Sequence, residues 1–267
     1  MTAMVFDLHN DYPTALAEHE LDGYAATHDG AEIVAAVFTS EFDPSVAADR
    51  VKSLRARLGD VPTAIEDLGF AADDKTLNEL DFRGLLYCSL TWNYNNAFAG
   101  GALDDGELTP IGRQAIELMN GRCAVDLAHL NKKSFYAALD AAERPICSHT
   151  AFGAHPRCLD DAQIKALIAR RGIIGLCAVR RFTGANTADG LCDVADRFVQ
   201  RYGAESLCLG TDFNGTKDLP DDFRDYGDMP KLVRGFEKRG YAAADINKIL
   251  YGNAKRLYEE IESERHL

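Results

Sequence analysis

The chain has 267 residues, 46% of them hydrophobic, and carries a formal net charge of −13. That length and apolar fraction exclude disorder and suit one domain with a sizeable core, residues 1–267 being read as a single unit. A surface this acidic repels nucleic-acid phosphate and anionic membranes, which excludes both as partners, and its plainest role is solubility.

Short apolar runs alternate with amphipathic stretches along the chain. The first run, 3–8 (AMVFDL), is followed by an ambiguous stretch at 12–30. The second, 33–39 (IVAAVFT), leads into a helix pattern at 45–58, where Val46, Val51, Leu54 and Leu58 fall near helical spacing. The third, 62–66 (PTAIE), precedes a weak helical stretch at 74–80. The fourth, 84–91 (GLLYCSLT), precedes a helix at 109–120, with Pro110 suited to its first turn. The fifth, 123–128 (CAVDLA), is followed by a helix at 131–142 opened by Asn131 as N-cap. The sixth, 145–148 (PICS), is followed by a helix at 160–171, opened by Asp160 and closed before Gly172. The seventh, 172–179 (GIIGLCAV), precedes a helix at 187–202. The eighth, 206–211 (SLCLGT), precedes a long polar loop at 213–230, fit to be a wall or lid, and helices at 229–239 and 244–262.

Each apolar run is short and bounded by Gly, Pro or polar residues, as buried parallel strands are. Eight strand–helix alternations point to a (β/α)8 barrel, a TIM barrel. The competing architecture is an open doubly wound sheet, and against it no Gly-rich phosphate loop follows the first strand.

Seven cysteines occur, an odd number without a CxxC pair, and most lie in apolar runs. Buried free thiols in a reducing compartment are expected. The opening MTAMVFDLHND has no basic segment of a signal peptide, and no apolar run is long enough to span a membrane, so a cytoplasmic protein is expected. A homodimer is left open.

In such a barrel the functional residues sit where strands end. The first run ends in His9 and Asp11, two apart and on one face of an extended strand, a metal half-site or a chance surface pair. The third ends in Glu66, a costly choice after an apolar strand unless partnered, or else a solvated loop carboxylate beside Asp67. The fifth and sixth end in His129 and His149, one βα unit apart and so on neighbouring strands; one such histidine alone would be a hydrogen-bonded structural residue. The eighth ends in Asp212, which closure of the barrel brings beside His9, although DFNG also has turn chemistry. Three histidines, two aspartates and a glutamate exceed what one zinc ion needs; two divalent ions about 3.5–4 Å apart, bridged by a carboxylate and a hydroxide, would use them all. His19, His28 and His266 are read as surface residues and His155 as a loop residue.

With these residues assembled, the chain resembles the membrane (renal) dipeptidase family of metallopeptidases, in the amidohydrolase superfamily. The matching motifs are DLHNDYP (7–13), AIEDLG (64–69), SLTWNYNN (89–96), VDLAHLN (125–131), PICSHTAF (145–152), HPRCLDDAQIKAL (155–167), LGTDFNG (209–215) and ILYGNAKRLYEEI (249–261), in the family's order. The resemblance implies that His9 and Asp11 bind one zinc ion, that Glu66 bridges two, and that His129 and His149 bind the second. It implies Asp212 as the residue that handles the proton and Arg157 as the anchor of the substrate's C-terminal carboxylate; without it, Arg157 is an exposed cation near a helix start. The function implied is hydrolysis of dipeptides by a metal-bridging hydroxide. Trp92 departs from the family, which often has a histidine there. Indole can donate one hydrogen bond but cannot act as a base, so Trp92 is expected to shape the pocket, with Tyr94 or Asn95 supplying polar contact. The same departure keeps one alternative open, a metal-dependent amidohydrolase for a cyclic amide, lactam or lactone; a third reading, a barrel that binds a ligand without turnover, is opposed by the complete ligand set.

Overall fold

The computed structural model describes residues 4–13, 31–40 and 44–265. Eight parallel strands close into a barrel in chain order: β1 (Val5–Asn10), β2 (Ala31–Phe38), β3 (Thr63–Glu66), β4 (Tyr87–Ser89), β5 (Ala124–Asp126), β6 (Pro145–Thr150), β7 (Ile174–Leu176) and β8 (Leu207–Leu209). The pair Asp7 with Leu209 joins β1 to β8 and closes the ring. All eight apolar runs of the sequence are strands, and the open-sheet alternative is excluded by that closure. Helices cover the outside: α1 (Pro44–Leu58), α2 (Asp74–Glu79), α3 (Pro110–Met119), α4 (Lys132–Ala141), α5 (Asp161–Ala169), the single turn α6 (Arg180–Thr183), α7 (Ala188–Tyr202), α8 (Met229–Lys238), α9 (Ala243–Asn247) and α10 (Asn253–Arg265). The weak stretch at 74–80 is a real helix, α2, capped by Asp73, whose side chain accepts from the Thr76 amide. Most of the ambiguous stretch at 12–30 lies outside the described residues.

Local chemistry sets the helix starts. Asn131 accepts from the Ser134 amide, and Asp160 forms a reciprocal capping box with Gln163, each satisfying first-turn amides. One stop differs from the sequence reading. The left-handed position after α5 is Arg171, φ 58°, and not Gly172. Gly172 is needed for space instead, since a Cβ there would lie 2.6 Å from the Pro145 carbonyl.

The core has two layers. Phe6, Leu8, Val34, Ala64, Tyr87 and Ile146 are among the residues that fill the barrel, and Ala254, Leu257 and Ile261 of α10 join that cluster. A larger cluster lies between strands and helices, with Val51 and Leu54 of α1 and Phe198 of α7 among its members. The seven cysteines are buried and free. Among the described residues no helix is long and apolar enough to cross a membrane.

Candidate metal centre

The candidate ligand residues sit at the carboxyl ends of the strands. His9 lies near the end of β1 and His149 near the end of β6, each inside a register irregularity, between Asp7 and Asn10 and between Cys147 and Thr150. Such bulges re-aim side chains. Glu66 is the last residue of β3. His129 and Asp212 follow β5 and β8 in left-handed conformations, φ 66° and 63°. Non-glycine residues hold that conformation only where their surroundings enforce it. Here the His129 carbonyl accepts from the Ala102 amide at 2.7 Å, and the Asp212 amide donates to the His9 carbonyl at 3.1 Å.

The six side chains converge. His9 Nε2 lies 3.3 Å from Asp11 Oδ2, 3.5 Å from Glu66 Oε2 and 4.0 Å from Asp212 Oδ1. On the other side of Glu66, Oε1 lies 2.8 Å from His129 Nε2 and 3.6 Å from His149 Nε2. The two carboxylate oxygens of Glu66 thus face different histidines. Among the described residues, three groups of candidate ligand atoms lie within 4.8 Å of one another: His9, Asp11 and Glu66; Glu66, His129 and His149; His9, His149 and Asp212.

Each histidine is held through its other nitrogen. Tyr87 Oη donates to the Leu8 carbonyl at 3.0 Å, so it accepts from His9 Nδ1, 2.7 Å away. Asn93 Oδ1 accepts from His129 Nδ1 at 3.0 Å. Ser148 Oγ donates to Asp126 Oδ2 at 2.6 Å and so accepts from His149 Nδ1 at 2.9 Å. A neutral imidazole whose Nδ1 carries the proton presents a bare lone pair at Nε2. The three Nε2 lone pairs therefore point at one another and at three carboxylates.

That arrangement is a test of whether the residues fit metal ions, and they do. His9 Nε2 is buried and has no hydrogen-bond partner among the described residues. Converging acceptors without intervening protons repel one another unless a cation lies between them, and nitrogen and carboxylate donors of this kind are what zinc-type ions take. The electrostatics agree. Burial, with Arg157 next, lowers the His129 pKa to about 3. Burial and then His9 hold His149 well below the usual range, so both stay neutral and able to ligate. Burial opposes charge on His9, yet Tyr87, Glu66 and Asp11 outweigh it and raise its pKa well above the ordinary value, which marks a place that favours positive charge. Burial, reinforced by the neighbouring Asp11 carboxylate, pushes Asp212 well above the usual carboxylate range.

The remaining sequence candidates separate. Arg157 is buried, with Nη2 2.9 Å from His129 Nε2 and its Nε without a partner among the described residues. Trp92 stands at the edge of the site, its ring 6.0 Å from that of His129 and 5.3 Å from that of Phe38. Asn95 turns away: it is exposed, and its Oδ1 accepts from the Gly101 and Gly106 amides at 3.3 and 3.1 Å. His155 is a loop residue, its Nδ1 accepting from the Arg157 amide at 3.1 Å. His19, His28 and His266 lie outside the described residues. The 213–230 loop is a wall, in which buried Phe213, Phe223 and Tyr226 pack together and Tyr226 Oη donates to Asp7 Oδ2 at 2.5 Å. Sequence reasoning missed Tyr87, Asn93, Ser148 and Asp126. Their one signal was a polar group inside or next to an apolar strand.

Comparison with known proteins gives a consistent result. The family model of the membrane dipeptidases, Peptidase family M19, matches residues 31–266. An uncharacterized protein in the pqqA 5' region of Klebsiella pneumoniae is 27% identical over 72% of this chain and 78% of its own length. Dipeptidase tcpJ of Claviceps purpurea is 28% identical over 67% of this chain, and the matched part is 45% of that longer protein. Two solved structures share the fold: a metallo peptidase described as dipeptidase AC, TM-score 0.85 at 20% identity over 97% of this chain and 98% of the other, and a metallo peptidase from Rhodobacter sphaeroides bound to a phosphinate mimic of L-Ala-D-Ala, TM-score 0.84 at 18% identity over 97% and 99%.

Proposed function

The chain belongs to the membrane dipeptidase family, Peptidase family M19, and from that premise we propose that this metallo-dipeptidase cleaves the amide bond of dipeptides at a centre of two divalent ions, zinc first among them. His9 and Asp11 would hold one ion, His129 and His149 the other, with Glu66 shared. The observation that carries this reading is the position of Glu66, with Oε1 2.8 Å from His129 Nε2 and Oε2 3.5 Å from His9 Nε2. Ions held there would supply a nucleophile from water at neutral pH and would draw charge from the scissile carbonyl.

The protein's own residues supply the rest. Arg157 presents a buried guanidinium beside the ligands and takes the substrate's free carboxylate, which fixes the length of peptide that fits. Asp212, its proton affinity raised by burial and by Asp11, accepts a proton at its carboxylate and delivers it to the leaving nitrogen. Trp92 and Phe38 form an aromatic side of the pocket that excludes water next to His129. The seven buried free thiols fit a reducing compartment, the cytosol.

Trp92 also supports a second reading, in which the flat indole beside His129 stacks on a cyclic amide, lactam or lactone. Hydrolysis rates on a panel of free dipeptides and cyclic amides, with zinc saturating, decide between them. Turnover of dipeptides supports the first reading, and turnover of cyclic amides alone replaces it with the second.

A further inference from the structure

Asp126, the last residue of β5, is fully buried and has no part in the chemistry above. Its Oδ1 accepts from the backbone amides of Ser148, at 2.8 Å, and Ala128, at 3.0 Å. Those residues immediately precede His149 and His129. Its Oδ2 accepts from Ser148 Oγ at 2.6 Å, and that oxygen lies 2.9 Å from His149 Nδ1. One carboxylate therefore touches the holder of His149 and the backbone amide just before His129, the two histidines assigned to the same ion.

We propose that Asp126 is a positioning residue for that ion: through Ser148 and two backbone amides it orients His149 and His129 and fixes His149 as an Nε2 donor. The inference rests on the two-ion reading above. Its logic is the direction of the hydrogen bonds. A carboxylate only accepts, so Ser148 must give its single hydroxyl proton to Asp126 and must accept from His149 Nδ1–H. The Nε2 lone pair is then free for a metal ion, and the buried negative charge behind the hydroxyl strengthens that donor. The holders of the other two histidines, Tyr87 and Asn93, are neutral.

Asp126→Asn reverses this chain without changing its shape. The two backbone amides need an acceptor and keep the new amide's oxygen on the Oδ1 side. Its NH2 group then faces Ser148 Oγ, which must accept there and donate to His149 Nδ1. The neutral imidazole carries its proton on Nε2 instead, where it blocks ligation.

The experiment is zinc titration of chelator-stripped wild type and Asp126→Asn against a chromophoric chelator, with nitrogen-15 NMR of the histidine tautomers in the zinc-free proteins. Wild type should bind two equivalents; one or none would overturn the two-ion reading itself. Asp126→Asn should bind one equivalent about 10- to 100-fold more weakly and keep the other, and His149 should change from the Nδ1–H to the Nε2–H tautomer. Equal weakening of both equivalents, or an unchanged His149 tautomer, would overturn the role of Asp126. Should Asp126→Asn fail to fold, Ser148→Ala keeps the carboxylate and its backbone bonds and carries the same test: selective loss of one equivalent supports the relay, and unchanged affinity refutes it.

Discussion

The Nε2 atoms of His129 and His149 lie 2.8 Å apart, and each ring has its Nδ1 engaged by a separate partner, half-buried Asn93 and buried Ser148. Two imidazole lone pairs do not face each other at that distance without a cation to share. Arg157 also reaches this point, its Nη2 2.9 Å from His129 Nε2. The same guanidinium is therefore placed beside the candidate ligands His129 and Glu66.

That placement predicts the effect of removing it. Arg157→Met keeps much of the stem and removes the charge. KM for free dipeptides should rise about 10- to 100-fold, the worth of a hydrogen bond to a charged group, and discrimination against C-terminal dipeptide amides should fall. Equal preference for free acids in variant and wild type would place the carboxylate anchor elsewhere.

Asp212 stands 4.0 Å from His9 Nε2, farther than Asp11 or Glu66. Asp212→Asn should therefore retain its metal content while kcat falls roughly 10²- to 10⁴-fold. Parallel loss of both ions, read by elemental analysis, would make Asp212 a ligand first.

Gly215 is required for space. A Cβ there would lie 2.3 Å from Asp11 Oδ2 and 2.4 Å from Asp212 Oδ1. Gly215→Ala should displace both carboxylates and lower kcat/KM on the order of 10²-fold, with an unchanged circular dichroism spectrum. Wild-type kinetics in this variant would show that the two carboxylates move freely.

Trp92→His distinguishes the two enzymatic readings. With a dipeptide substrate, the imidazole should retain or raise activity, and wild type should prefer small residues next to the scissile bond. With a flat cyclic amide, loss of the indole should cost about 0.5–1.5 kcal/mol of stacking, a several-fold fall in kcat/KM. The comparison is kcat/KM for wild type and Trp92→His on both substrate classes.

The barrel was legible because parallel strands buried on both faces read as unbroken apolar runs. The convergence of the candidate ligands was legible because a His, Asp or Glu that ends such a run has few other reasons to be there. What lay behind them was not. Tyr87 in LLYCSL looks like core packing, and its contact with His9 joins residues 78 apart in sequence. Ser148 and Asp126 look like incidental polar residues until the pairing of β5 with β6 brings them within hydrogen-bond reach. In the asparagines of WNYNN, order along the chain cannot say which turns inward; Asn93 does, while Asn95 ties its own loop together. The 213–230 stretch is polar by composition, yet its three buried aromatics make it a wall.

The measurement that bears most directly on the account is zinc titration of chelator-stripped protein, read by hydrolysis of a free dipeptide. Activity should be absent without metal, rise with added zinc and level off at two equivalents per chain. A plateau at one equivalent, or dipeptide turnover that survives complete removal of metal, would contradict it.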